Sequence, residues 1–167
     1  MMQTDVKAGH LNNSGFVLLG RTRLKAVSTV GTATAGTLDI FDTVTAPVSA
    51  TYARSTTVIT VTKVAHGLAT GDVVGIAFAT ASGTSGTNGN YSITRTSADA
   101  FTVTDINSGT IAGGTVAVYS TLWVASYDIG ATDVFGNFAV IPGEGVLVKN
   151  GIYLSMANIT SANVYYG

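Results

Sequence analysis

Between Ala65 and Asp105 the chain sets turn-forming clusters between runs in which large apolar residues recur at every second position. His66, Gly67 and Leu68 follow one alternating run, and Thr70, Gly71 and Asp72 precede the next, so AHGLATGDVVGI reads as strand, tight turn, strand. Gly71 can take the positive φ that such a turn often demands, and Asp72 can brace it by accepting backbone N–H groups. Further on, Asn88, Gly89 and Asn90 lead into Tyr91, Ile93 and then Ala100 to Thr104, where the period is again two. That periodicity predicts half of a small all-β unit, with strands over 72–79, 90–95, 100–105 and 115–119.

The rest of the chain points the same way. Charged residues make up 10% of the 167 positions, far below the quarter usual for globular domains, and there are 20 glycines. The long side chains that favour helix are scarce, whereas Thr, Val, Ile, Tyr and Phe favour strands. The expected fold is all-β: an antiparallel sandwich or jelly-roll-like base over 1–54 plus 120–167, with a small β module inserted at 55–119. A mean hydropathy of +0.40 on so few charges implies that other subunits cover part of the apolar surface. No run approaches the eighteen or so apolar residues that cross a bilayer, so no membrane partner is expected. The opening MMQTDVKAGHLNNSGF lacks a basic start and apolar core, so no signal peptide is expected. With no cysteine there is neither a disulfide framework nor a thiolate metal site, and a net charge of −1 argues against nucleic acid as partner.

Candidate residues are few. Residues 1–15 suit an extended arm more than a strand or helix, either a disordered tail or an arm reaching to a neighbouring subunit, and His10 within them has no acidic or histidine partner at a useful spacing. Arg21, Arg23 and Lys25 alternate with Thr22, Leu24 and Ala26, so at strand period the three cations share a face. They are the candidate partner-binding residues. Asp39 and Asp42, three apart on a strand, fall on opposite faces and make a poor acid/base pair, and nothing nearby completes a calcium loop. The Gly-rich loop at 81–89 has no lysine after it and opens no helix, so it is not a phosphate cradle but a flexible loop. Glu144 in the PGEG turn is expected to serve solubility or a local backbone bond. Trp123 should pack in the core or at the junction with the module, and the terminal VYYG should be a paired strand. With no GxSxG elbow, two distant histidines and no acidic cluster of metal-ligand spacing, no catalytic residue, metal or cofactor is expected.

The arrangement His66, Gly67, Thr70, Gly71, Asp72, then Asn88, Gly89, Tyr91 and Phe101 resembles small β modules that recur as insertions in bacteriophage tail and other virion proteins. The flanking pieces RTRLKAV, GTATAGTLDIFD and VIPGEGVLVKNGIYLSM are similar to small structural proteins of marine tailed phages. The resemblance implies a non-enzymatic structural protein of a virion, made in the host cytoplasm. Most specifically it implies a capsid decoration or cement protein on the major capsid protein, assembled as a trimer or ring. A tail adaptor, fibre-base or baseplate subunit and a glycan-binding module for host attachment are the alternatives. No catalytic residue comes with the resemblance.

Overall fold

A computed structural model describes residues 5–79, 83–131, 133 and 136–167, the side chains of 113–118 excepted. The described residues hold no helix: antiparallel strands carry the fold, as the composition requires. The chain divides into two compact units, 1–46 with 125–167, and 47–124. The dividing points fall at 46/47 and 124/125 because residues 48–52 are paired in register with 115–119, which assigns both segments to the inserted unit.

The first unit is sandwich-like and holds two sheets. One runs β1 (Lys7–Leu11), β14 (Ile159–Tyr166), β3 (Thr22–Gly31), β11 (Asn137–Val140), with β12 (Val146–Val148) also on β3. The other runs β10 (Leu122–Ile129), β4 (Gly36–Asp42), β13 (Gly151–Ala157), β2 (Gly15–Leu19). Leu24, Val27, Leu38, Ile40, Ile152, Leu154, Ala162 and Val164 are buried and supply its core. Leu24 and Val27 are three apart, which strict alternation would put on opposite faces. A bulge reconciles them: Tyr165 faces Ala26 and Tyr166 faces Leu24, leaving Lys25 as the extra residue. The expected N-terminal arm is therefore corrected from Lys7 onward, since Lys7–Leu11 is strand β1, paired residue by residue with β14. Residues 1–4 of that expected arm lie outside the described residues. The chain end forms the predicted paired strand, flanked by β1 and β3.

The second unit is one curled sheet, a half-barrel, ordered β5 (Val48–Thr62), β9 (Ala100–Ser120), β6 (Val73–Phe78), β7 (Gly89–Ser92), with β8 (Thr94–Arg95) also on β9. The Gly/Ser-rich 107–114, which separates the strands predicted at 100–105 and 115–119, is part of the continuous β9. Pairing to β5 explains it: register shifts between Tyr52 and Arg54 and between Thr56 and Val58 let the ladder bend without ending. Thr56 takes a left-handed φ of 58° at that bend. Inside the curl, Tyr52, Ile59, Val61, Ile76, Phe78, Ile93, Phe101 and Val103 form the core, with Tyr52 and Phe101 edge-to-face on Phe78 and Tyr119.

Candidate docking face

The turn motif that dominates the sequence is spent on holding itself together. Asp72 accepts the Ala69 N–H at 2.8 Å, and Gly71 sits at φ 96°, both as the turn demands. Thr70 Oγ1 accepts the Arg95 N–H at 2.9 Å, and Asp99 accepts that of Ala65 at 2.8 Å. His66 Nδ1 accepts the Leu68 N–H at 3.1 Å, so its Nε2 is left to donate to the Ser97 carbonyl at 3.2 Å, and its ring lies edge-to-face on Phe101. Asn88 accepts the Phe78 N–H at 2.7 Å, and Asn90 clasps Trp123 through both its N–H, at 2.9 Å, and its carbonyl, at 3.1 Å. Gly75 lets that clasp form, because a Cβ there would lie 1.9 Å from the Trp123 nitrogen. Each of these polar side chains braces the turn or a neighbouring strand.

An ion pair that sequence reading missed sits at the bend of the half-barrel. Arg54 Nη2 lies 3.0 Å from Asp105 Oδ2, and both side chains are fully buried. Arg54 also donates to the carbonyls of Thr56, Thr84, Ser85 and Asn107. Asp105 accepts the N–H groups of Thr87 at 2.8 Å and Asn107 at 3.2 Å. The loop expected to be flexible over 81–89 is thereby corrected for 83–88: buried Arg54 and Asp105 bind its backbone directly, while residues 81 and 82 lie outside the described residues. Burial alone would raise the Asp105 carboxyl, but the Thr87 and Asn107 N–H groups, the Thr87 side chain and the Arg54 guanidinium outweigh it and hold it below the usual carboxylate range. Beside it, burial and then the Asp105 charge push the Tyr91 phenol up to about 12, against the opposing pull of Arg54.

The three cations of the sequence reading do not act as one face. Arg23 is drawn to the 142–145 turn, 3.0 Å from Glu144 Oε2 and 3.4 Å from the Gly145 carbonyl, and Lys25 donates to the Glu144 carbonyl at 2.7 Å. Glu144, expected to serve solubility or a local backbone bond, thus holds two of them, Arg23 by its carboxylate and Lys25 by its backbone carbonyl. Arg21 lies outside β3, exposed, in a shallow concavity of about 440 Å3 with Asp5, Lys7, Leu18, Leu19 and Tyr166. Arg21 parts from the other two because it precedes the paired strand β3, whereas Arg23 and Lys25 both reach the 142–145 turn.

What the bulge brings outward is apolar. Directly opposed residues of an antiparallel ladder share a face, so Val140, Ala26, Tyr165 and Ala8 form one row across β11, β3, β14 and β1. Phe138, Ser28, Asn163 and His10 form the next. Neither row holds an Asp, Glu, Lys or Arg. Phe138 is 61% exposed and Val140 65%, and the Phe138 ring lies edge-to-face on Tyr165 with centroids 5.7 Å apart. His10, exposed on β1, contacts Asn163 Oδ1 at 2.8 Å, and Asn163 donates onward to Ser28 at 3.2 Å. These bonds fix a polar margin beside the apolar row. Alternation could have found Phe138 and Val140, but β3, the strand they pair with, is more than a hundred residues away in sequence.

Among the described residues no group of three or more His, Asp or Glu could hold a metal ion. Compared with models of known protein families and with curated proteins, the chain matches none of them.

Proposed function

We propose that this chain is a non-enzymatic structural protein of a virus particle, a capsid decoration protein that binds the assembled shell and stabilises it. The observation that carries the reading is the outer face of the first unit, a fixed four-strand surface with Phe138 and Val140 exposed and no charged residue in its two rows. Exposed apolar area on an otherwise packed sheet is the mark of a covered surface, and a partner that removes it from water gains about 25 cal/mol per Å2. Virion proteins of the shell, foremost the major capsid protein, and further copies of this chain are the partners that fit. Arg21 with Lys7 adds a cationic corner able to meet an acidic patch on that partner. A protein that binds only the assembled lattice stabilises it by mass action, with no chemistry required.

Copy number in purified particles tests this, measured by quantitative mass spectrometry against the major shell protein. Copies in the hundreds support a lattice protein, because symmetry repeats a shell contact many times, whereas roughly three to twelve would place the chain in the tail instead. Absence from particles would overturn the virion reading altogether.

A further inference from the structure

We propose that the first unit carries a binding site for a neutral monosaccharide in the cavity beside β10 and β11. These are end strands of their respective sheets, and the cavity they share with β3 has a volume of about 430 Å3, within the range of small-ligand pockets. Thr29, Ser126, Tyr127, Asp128 and Asn137 are the lining residues that matter. Thr29 is 97% buried, and among the described residues neither its Oγ1 nor the buried Oγ of Ser126 has a hydrogen-bond partner. A buried hydroxyl without a partner is costly, and two on one cavity call for a guest that supplies hydroxyls of its own. The lining holds no Lys, Arg or His and one carboxylate, Asp128, which disfavours phosphates, sulfates and acidic sugars. Asp128 offers acceptors, Asn137 offers an acceptor and a donor, and Tyr127 offers aromatic surface. A pyranose matches that set, with hydroxyls around its rim and an apolar C–H face.

The site is separate from the assembly reading and is tested on the isolated full chain. Glucose, galactose, mannose and N-acetylglucosamine are each titrated through the millimolar range while backbone amide resonances are followed by NMR. The expected result is a saturable shift of Val27, Thr29, Ser126 and Asn137 with at least one sugar, leaving residues of the 47–124 unit in place. Thr29→Val keeps the shape and removes the unpartnered hydroxyl. It should weaken that binding about tenfold while the free protein melts no lower than before, because no internal bond is lost. Asn137→Ala gives a second, exposed position at which binding should fall. Failure of all four sugars to shift these resonances overturns the site, as does unchanged affinity in Thr29→Val. A lowered melting temperature in Thr29→Val would also overturn it, by revealing that the hydroxyl already has a partner such as a fixed water.

Discussion

The two units meet the same problem, an all-β chain with few charges, by opposite means. In the 47–124 unit a single sheet curls on itself, and its polar side chains are drawn inward or onto the backbone: Arg54 and Asp105 at the bend, Asn88 and Asn90 on neighbouring strands, His66 and Asp72 in the turn. In the other unit two sheets share the core, and one buried carboxylate does comparable work. Asp42 accepts the N–H groups of Lys149, Asn150 and Gly151 at 2.9, 2.7 and 3.2 Å, closing the β12 to β13 turn. Its remaining sheet face is left apolar and open. A half-barrel must satisfy the backbone it bends, so it consumes its polar groups internally. A sandwich with flat outer faces has surface to spare for partners.

The largest effects should come from breaking the bend. Asp105→Ala leaves the Arg54 guanidinium buried without its counter-charge and should cost about 3–5 kcal/mol, since removing one member of a buried pair is far worse than never having had it. Amide hydrogen exchange should then show protection falling first in residues 47–124. Equal loss in both units would erase the contrast drawn between them. Asp42→Ala is the matching lesion in the sandwich: three N–H groups lose their acceptor, at a cost of about 2–3 kcal/mol, and the loss of protection should start at 149–151.

Acid and base should also separate the units. The Asp105 carboxyl titrates below its ordinary value when folded, so its contribution is complete above about pH 4, the unfolded value, and is lost as pH falls through the lower folded one. Tyr91 behaves in the opposite sense. Its folded value near 12 exceeds the unfolded 10.0, so stability is complete below pH 10 and falls as pH rises from there toward 12. Denaturation followed at pH 3, 7 and 11 should therefore find the 47–124 unit weakened at both extremes, and Tyr91→Phe should shrink the alkaline limb, the Tyr119 phenol of the same unit, also raised by burial, supplying the remainder.

The strands of both units were legible because alternation is a local property, and the turn at 66–72 because Gly and Asp announce it. Gly71 and Asp72 do what their residue types suggest. Arg54 and Asp105 were not legible: they are 51 positions apart, and Arg54 sits in a polar stretch that looks like any connector. The continuity of β9 through Gly109 was hidden for a related reason, because glycine marks a break only where no partner strand stands opposite, and Thr56 of β5 pairs with it. As a strand pattern the basic stripe loses only Arg21, which lies just before β3. A bulge at Lys25 is invisible without its partner strand, yet it decides which side chains of β3 face outward.

The smallest effect on stability should fall on the open face, where it is most informative. Phe138→Ser removes an exposed ring that touches Tyr165 at the surface, so folding should change by no more than about 1 kcal/mol, part of it the lost ring contact. Association is another matter, since a side chain at the centre of a covered patch can carry much of its binding energy. The charge reversals Arg21→Glu and Lys7→Glu act at the rim of the same unit and should slow association while leaving the complex, once formed, nearly as long-lived. Binding of each variant to purified shells lacking this chain, followed over time, separates the two. If Phe138→Ser binds as well as the parent while the reversals abolish binding, the cationic corner is the contact and the apolar face is not. If Phe138→Ser fails to stay bound and the reversals merely bind more slowly, the open sheet face is what the sandwich keeps free for its partner.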